Sequence, residues 1–121
     1  MPPFGFGPSG TPWLPQPADW GVRTVQTQQG DPNSTLSFYR AALAARRSHP
    51  ALGDGKMTWI DASNDVLAFA RGTDFACAIN YGDEQAELPP EIAAFEPFLL
   101  STQSPAGALA PASAGWYRRR D

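Results

Sequence analysis

A single histidine, His49, and a single cysteine, Cys77, are the strongest potential ligands and nucleophiles in this 121-residue chain. One of each cannot complete a four-ligand structural zinc set. His49 sits just before Pro50 at the end of a helical pattern, where dipole stabilisation or exposure explains it better than catalysis. Cys77 alternates with Phe75 and Ile79 along a short apolar run, the pattern of a buried and inert thiol. Its sequence neighbours supply no positive charge that would lower its pKa.

Carboxylates are the remaining candidates, since carboxylate chemistry such as glycoside hydrolysis needs an opposed pair across the scissile bond. The 12 acidic residues are Asp19, Asp31, Asp54, Asp61, Asp65, Asp74, Asp83, Glu84, Glu87, Glu91, Glu96 and Asp121. Most lie beside Gly, Pro or Asn or in predicted turns, so caps and solvated loops account for them. Asp61, Asp65 and Asp83 lack the spacing of a calcium loop. The GFGPSG string at Gly5–Gly10 follows no strand and opens no helix, which excludes a phosphate-binding loop. Asn33-Ser34-Thr35 matches a glycosylation sequon but falls in a predicted first helical turn. No cofactor or metal is therefore expected, and no catalytic residue can be assigned.

Aromatic residues could stack on sugar rings, or could simply form a core. Trp59, Phe69, Phe75 and Trp116 fall on alternating strand positions and are assigned to the core of a sandwich. Phe4, Phe6, Trp13 and Trp20 are less easily placed. Six of the 13 prolines fall within the first 17 residues beside these rings. Such density specifies turns and extended backbone, yet a disordered leader should be poor in aromatics. Residues 1–30 read as an ordered loop draped over another surface.

The element that follows is a helix over about residues 31–49. Asp31-Pro32 supplies a cap and a first-turn proline, Leu36, Tyr39 and Leu43 form one apolar stripe, and Pro50 ends it. Beyond it the pattern changes to period two. Lys56–Asp61, Val66–Ala70 and Phe75–Asn80 read as strands joined by the turns 62–65 and 72–74. Gln85–Leu88, Phe98–Thr102 and Gly115–Arg118 are further strands, and Gln103–Ala114 reads as loop. The fold class is mainly β with one long helix, ending in a small antiparallel β-sandwich. A formal charge of −3 and pI near 5.0 give no reason to expect nucleic acid or an anionic membrane. No apolar run approaches the roughly 20 residues of a membrane span, and MPPFGFGPSG lacks the regions of a secretory signal. A lone cysteine suits a reducing, cytoplasmic setting.

The run Pro12-Trp13-Leu14-Pro15 followed by DPNSTLSFYRAALAARRSHPAL (Asp31–Leu52) closely resembles the late part of α-glucosidases of the α-amylase family, glycoside hydrolase family 13. In the oligo-1,6-glucosidase-like branch, a PW-[LI]-P loop leads into a DP-x-S-x-L-x-x-YR helix. PFGFGPSG before it, VLAFARG (Val66–Gly72) and INYGDEQAELP (Ile79–Pro89) are also similar to that branch. Ala45, where leucine is common, and Gly115 in the last strand depart from the pattern. The resemblance implies that residues 1–53 are the end of a (β/α)₈ catalytic barrel, with its final helix, and that residues 54–121 are a C-terminal β-sandwich domain. It further implies that Phe4, Phe6, Trp13, Trp20, Leu36, Tyr39 and Leu43 pack on the barrel of a longer parent chain, the expected partner. The parent would be a retaining α-glucosidase acting on oligosaccharides. Its catalytic carboxylates would lie on barrel strands with no counterpart here, so this chain alone is expected to be inactive. The alternative is a free-standing β-sandwich that binds carbohydrate or protein.

Overall fold

The structure, a computed structural model, describes Phe4, Gly5, Gly7, Pro8 and residues 12–121. It divides into two compact units, Met1–Ala44 and Ala45–Asp121.

In the first unit, the stretch expected to be all loop contains a 3₁₀ segment, Ala18–Arg23, and a short helix α1, Val25–Gln29. Thr24 caps α1 by accepting the Thr27 amide at 3.2 Å. The main helix α2 spans Thr35–Ser48 and runs on into the second unit. It starts later than Asp31 suggested. The Asp31 carboxylate instead accepts the Asn33 amide at 2.8 Å, closing a local turn, and the cap is Ser34, whose Oγ accepts the Ser37 amide at 3.1 Å. Gln28 supplies a second cap from α1: its Oε1 accepts the Leu36 amide at 3.0 Å, while its Nε2 donates to the Arg23 carbonyl at 2.6 Å. Two neighbouring residue types can cap here, and Ser34 is selected because its hydroxyl also donates to the Gln28 carbonyl at 2.8 Å.

The second unit is mostly antiparallel sheet in a small sandwich-like arrangement. Its strands are β1 (Met57–Ile60), β2 (Val66–Arg71), β3 (Phe75–Asn80), β4 (Ala86–Glu87), β5 (Glu96–Leu100), β6 (Ala108–Leu109) and β7 (Ser113–Arg118). Five of them form one sheet in the order β1-β2-β3-β7-β5, and β4 pairs with β6 in a separate ribbon. The segment Gln103–Ala114, expected as loop, thus contains β6, too short to show alternation. Between β4 and β5 lies the one-turn helix α3, Pro90–Ala93. Edge strand β5 is blunted against further pairing by Pro97 and by a register shift at the next residue.

Register fixes which side chains share a face. Val66, Ala68, Ala76, Ala78 and Tyr117 lie on one face, under Leu88, Ile92 and Leu109 of the covering layer, and these eight form the buried core. The covered face is rich in alanine because the second layer sits close. Gly115, a departure from the expected pattern, has its explanation here: a Cβ at this position would lie 2.5–2.7 Å from the Tyr117 hydroxyl and ring. The aromatic set expected as core lies on the other face. Phe75 is buried, but Phe69 and Trp116 are half-buried and Trp59 is 62% exposed. Alternation identifies residues that share a face, but it carries no information on which face is covered.

Asn80 ties the layers together. It is buried, and its Nδ2 donates to the carbonyls of Glu84 (2.8 Å), Ala110 (3.1 Å) and Leu109 (3.3 Å), while its Oδ1 accepts the Gly82 amide at 3.0 Å. Replacing Asn80 by Leu orphans these buried groups and should cost about 2–3 kcal/mol, lowering the melting temperature by roughly 10 °C or more. The Tyr117 hydroxyl is also buried but has no hydrogen-bond partner among the described residues. Tyr117→Phe should therefore change stability by less than about 1 kcal/mol, whereas Gly115→Val should destabilise strongly by displacing the ring. Thermal melts of the three variants check these values.

Candidate functional site

Among the described residues, no three His, Cys, Asp or Glu side chains gather in a way that could hold a metal ion. The acids are spent on local contacts or face solvent. Asp74 accepts from the Thr73 hydroxyl at 3.1 Å and lies 3.9 Å from Arg119, and Glu96 pairs with Arg118 at 2.5 Å. Arg118 also lies over the Phe98 ring at 5.2 Å. These are exposed pairs, which position side chains more than they stabilise the fold.

His49 is packed rather than solvated. Its ring lies 4.8 Å from Phe75 and 6.4 Å from Phe98, centroid to centroid. Periodicity gives no sign of this contact, because it joins the residue after α2 to strands far along the chain. His49 also borders a cleft of about 300 Å³ with Asp74, Arg118, Arg119, Arg120 and Asp121. The arginine run forms a wall of that cleft, opposed by two carboxylates that reduce its net charge.

The residues expected to pack on a parent barrel are placed as follows. Phe6 lies outside the described residues. Phe4 is half-buried and shares a cleft of about 250 Å³ with Trp20, Arg23 and Thr24. Trp13 is 94% exposed, and with Pro12, Leu14, Pro15, Gln16 and Trp20 it lines a cleft of about 370 Å³ that contains no titratable side chain. On α2, Leu36 is half-buried, while Tyr39 and Leu43, one turn apart, are 63% and 45% exposed. The first unit thus presents exposed apolar side chains at Trp13, Leu14, Tyr39 and Leu43. Such side chains can receive apolar protein or a ring face.

Cys77 occupies the middle of a row that crosses the whole sheet: Trp59, Phe69, Cys77, Trp116 and Leu99 are successive cross-strand partners on its open face. Burial pushes the thiol up to about 11, partly offset by a hydrogen bond with Trp116. Burial likewise pushes the Tyr117 hydroxyl up to about 12, with charge at Cys77 as a smaller contribution. The thiol is therefore protonated and unreactive at neutral pH.

No family model matches the chain. It is 39% identical over 94 residues to a probable α-glucosidase of Rhizobium meliloti, a match covering 74% of this chain and 17% of that protein. The trehalulose synthase of Pseudomonas mesoacidophila superposes with a TM-score of 0.72 at 32% identity, over 91% of this chain and 22% of the synthase. The isomaltulose synthase of Klebsiella shares the fold, with a TM-score of 0.74 at 23% identity over 90% of this chain and 22% of that one. This chain spans about a fifth of the length of the proteins it matches.

Both raised pKa values lie above the ordinary ones, 9.0 for Cys and 10.0 for Tyr. Stability should be level up to about pH 9 and fall as pH rises through about 11, where the unfolded chain has already released protons the folded one retains. Denaturant titrations across this range should show a shallower fall for Cys77→Ala. Thiol reagents should label Cys77 at neutral pH only when the chain unfolds.

Proposed function

From the match to the C-terminal region of proteins of the α-amylase family, glycoside hydrolase family 13, we propose that this chain is the C-terminal portion of an α-glucosidase hydrolysing α-glucosidic bonds of oligosaccharides. The observation that carries the reading is the asymmetry of coverage. Between 74% and 91% of this chain aligns with these relatives, yet it accounts for only 17–22% of their length. Residues 1–53 would close the barrel with its last loop and helix, and residues 54–121 would form the attached β-domain. Phe4, Phe6, Trp13, Trp20, Leu36, Tyr39 and Leu43 would meet the remainder of the barrel. The exposure of Trp13, Tyr39 and Leu43 supports that assignment, because large apolar groups left open together mark a covered surface in the complete molecule. Retaining hydrolysis requires two carboxyl groups about 5 Å apart, whereas Asp31, Asp74 and Glu96 are engaged in a turn and surface pairs and the other acids are exposed. The catalytic pair would therefore come from the rest of the parent, and this chain alone would be silent. A cytoplasmic parent is consistent with the single, buried, reduced Cys77.

The purified 121-residue chain should give no hydrolysis of p-nitrophenyl α-glucoside above a mock preparation. Reproducible turnover that co-purifies with the chain would contradict the reading.

A further inference from the structure

The second unit holds a cavity of about 100 Å³ on the side of the sheet that carries the ribbon and α3. Leu88 and Phe95 line it from either end of α3, with Leu100 of β5, Ala108 of β6 and Tyr117 of β7. Leu88, Ala108 and Tyr117 are at most 9% exposed, and the loop 104–107 completes the lining. Hydrogen bonds hold that loop in place. The Pro105 carbonyl accepts the Ala108 amide at 3.1 Å, and the Gly107 carbonyl accepts the Leu88 amide at 2.9 Å. Gly107 takes the positive φ of +76° that this turn requires. The cavity is therefore preformed and mostly apolar. Ser104 has its hydroxyl used in both directions, donating to the Thr102 carbonyl at 3.2 Å and accepting the Ala110 amide at 3.0 Å. Two side chains of the lining keep free donors. The Tyr117 hydroxyl is buried without a partner and lies back over Gly115, whose cross-strand partner is Leu100. Arg120, two residues past the end of β7, is exposed and forms no ion pair among the described residues; it also borders the cleft at His49. No acidic residue lines the cavity.

We propose that this cavity binds a short carboxylate that carries a second acceptor oxygen toward its other end, the class of small oxo- and hydroxy-acids. Each part of the ligand answers to a part of the site. The guanidinium of Arg120 can only donate, and with no acid beside it in the lining it asks for an anionic head. The walls of Leu88, Phe95 and Leu100 ask for an apolar body. Tyr117 extends away from Arg120 along the strand, so its hydroxyl serves an acceptor at the far end of the ligand rather than the same head group. A buried donor without a partner is costly, and a bound acceptor removes that cost. Size sets the length. About 100 Å³ is less than the roughly 150 Å³ known to hold a benzene ring, so the body is a chain of about four carbons. Every residue involved belongs to the second unit, so the inference does not depend on the activity of the parent.

The test is a titration of the ¹⁵N-labelled 121-residue chain with 4-oxopentanoate, followed by amide chemical shifts. Saturable shifts should centre on Leu88, Leu100 and Ala108. Pentanoate, which lacks the second oxygen, and 2-pentanone, which lacks the carboxylate, should each bind about threefold or more weakly. Two variants assign the donors. Tyr117→Phe should abolish the preference for 4-oxopentanoate over pentanoate, while leaving pentanoate binding as it was. Arg120→Gln, at an exposed position, should abolish the preference for 4-oxopentanoate over 2-pentanone. Acetate that shifts the same amides as strongly as 4-oxopentanoate would show binding to surface charge alone and overturn the proposal. Shifts confined to His49, Arg118 and Arg119 would place the anion in the other cleft and overturn it equally. Absence of saturable shifts at the lining would do the same, as would preferences that survive both substitutions.

Discussion

The side-chain amide of Asn80 joins the two layers of the second unit. Backbone pairing builds the five-stranded sheet and the small ribbon separately, and among the described residues no strand is shared between their ladders. Asn80 lies at the end of β3 and reaches the carbonyls of Glu84, Leu109 and Ala110, so a single buried group fixes the turn after β3 and the strand β6 above it. Low local dielectric strengthens such bonds and makes their loss expensive. Once the ribbon is held there, Leu88, Ile92 and Leu109 can seat on the alanines of the sheet, and Tyr117 can lie over Gly115.

That choice of covered face leaves the two sides of the sheet with different side chains. Small residues suit a close second layer supplied by the chain itself, while Trp59, Phe69 and Trp116 on the other face are larger and less covered. The sheet therefore has two chemically different sides. One is covered by the ribbon and α3, while the other buries Phe75 and Cys77 but leaves Met57, Trp59 and Leu67 exposed. The first unit shows the same economy in its exposed Trp13 and in Tyr39 and Leu43.

Much of this was legible in the residues. β1, β2, β3 and β7 appear as alternating apolar runs, and the turn at Gly72, which adopts positive φ, is marked by its glycine. The family likeness is carried by the PW and DP motifs at residues 12–15 and 31–40. What was not legible depends on contacts far apart in sequence. Ser34 prevails over Asp31 as cap because of Gln28, six residues before it. β6 exists because β4 is there to pair with it. The inward face is decided by Leu88, Ile92 and Leu109, which periodicity in the strands cannot reveal. His49, read as a helix-end charge, is an aromatic packing partner for the same reason.

The most direct test of the central claim, that this chain is one portion of a larger glycosidase, is the mass of the protein as its source cell makes it. Immunoprecipitation with an antibody against the 121-residue chain, followed by intact mass measurement, should recover a product several times larger than 13.0 kDa that hydrolyses p-nitrophenyl α-glucoside. Recovery of a stable 13.0 kDa product alone would contradict the account.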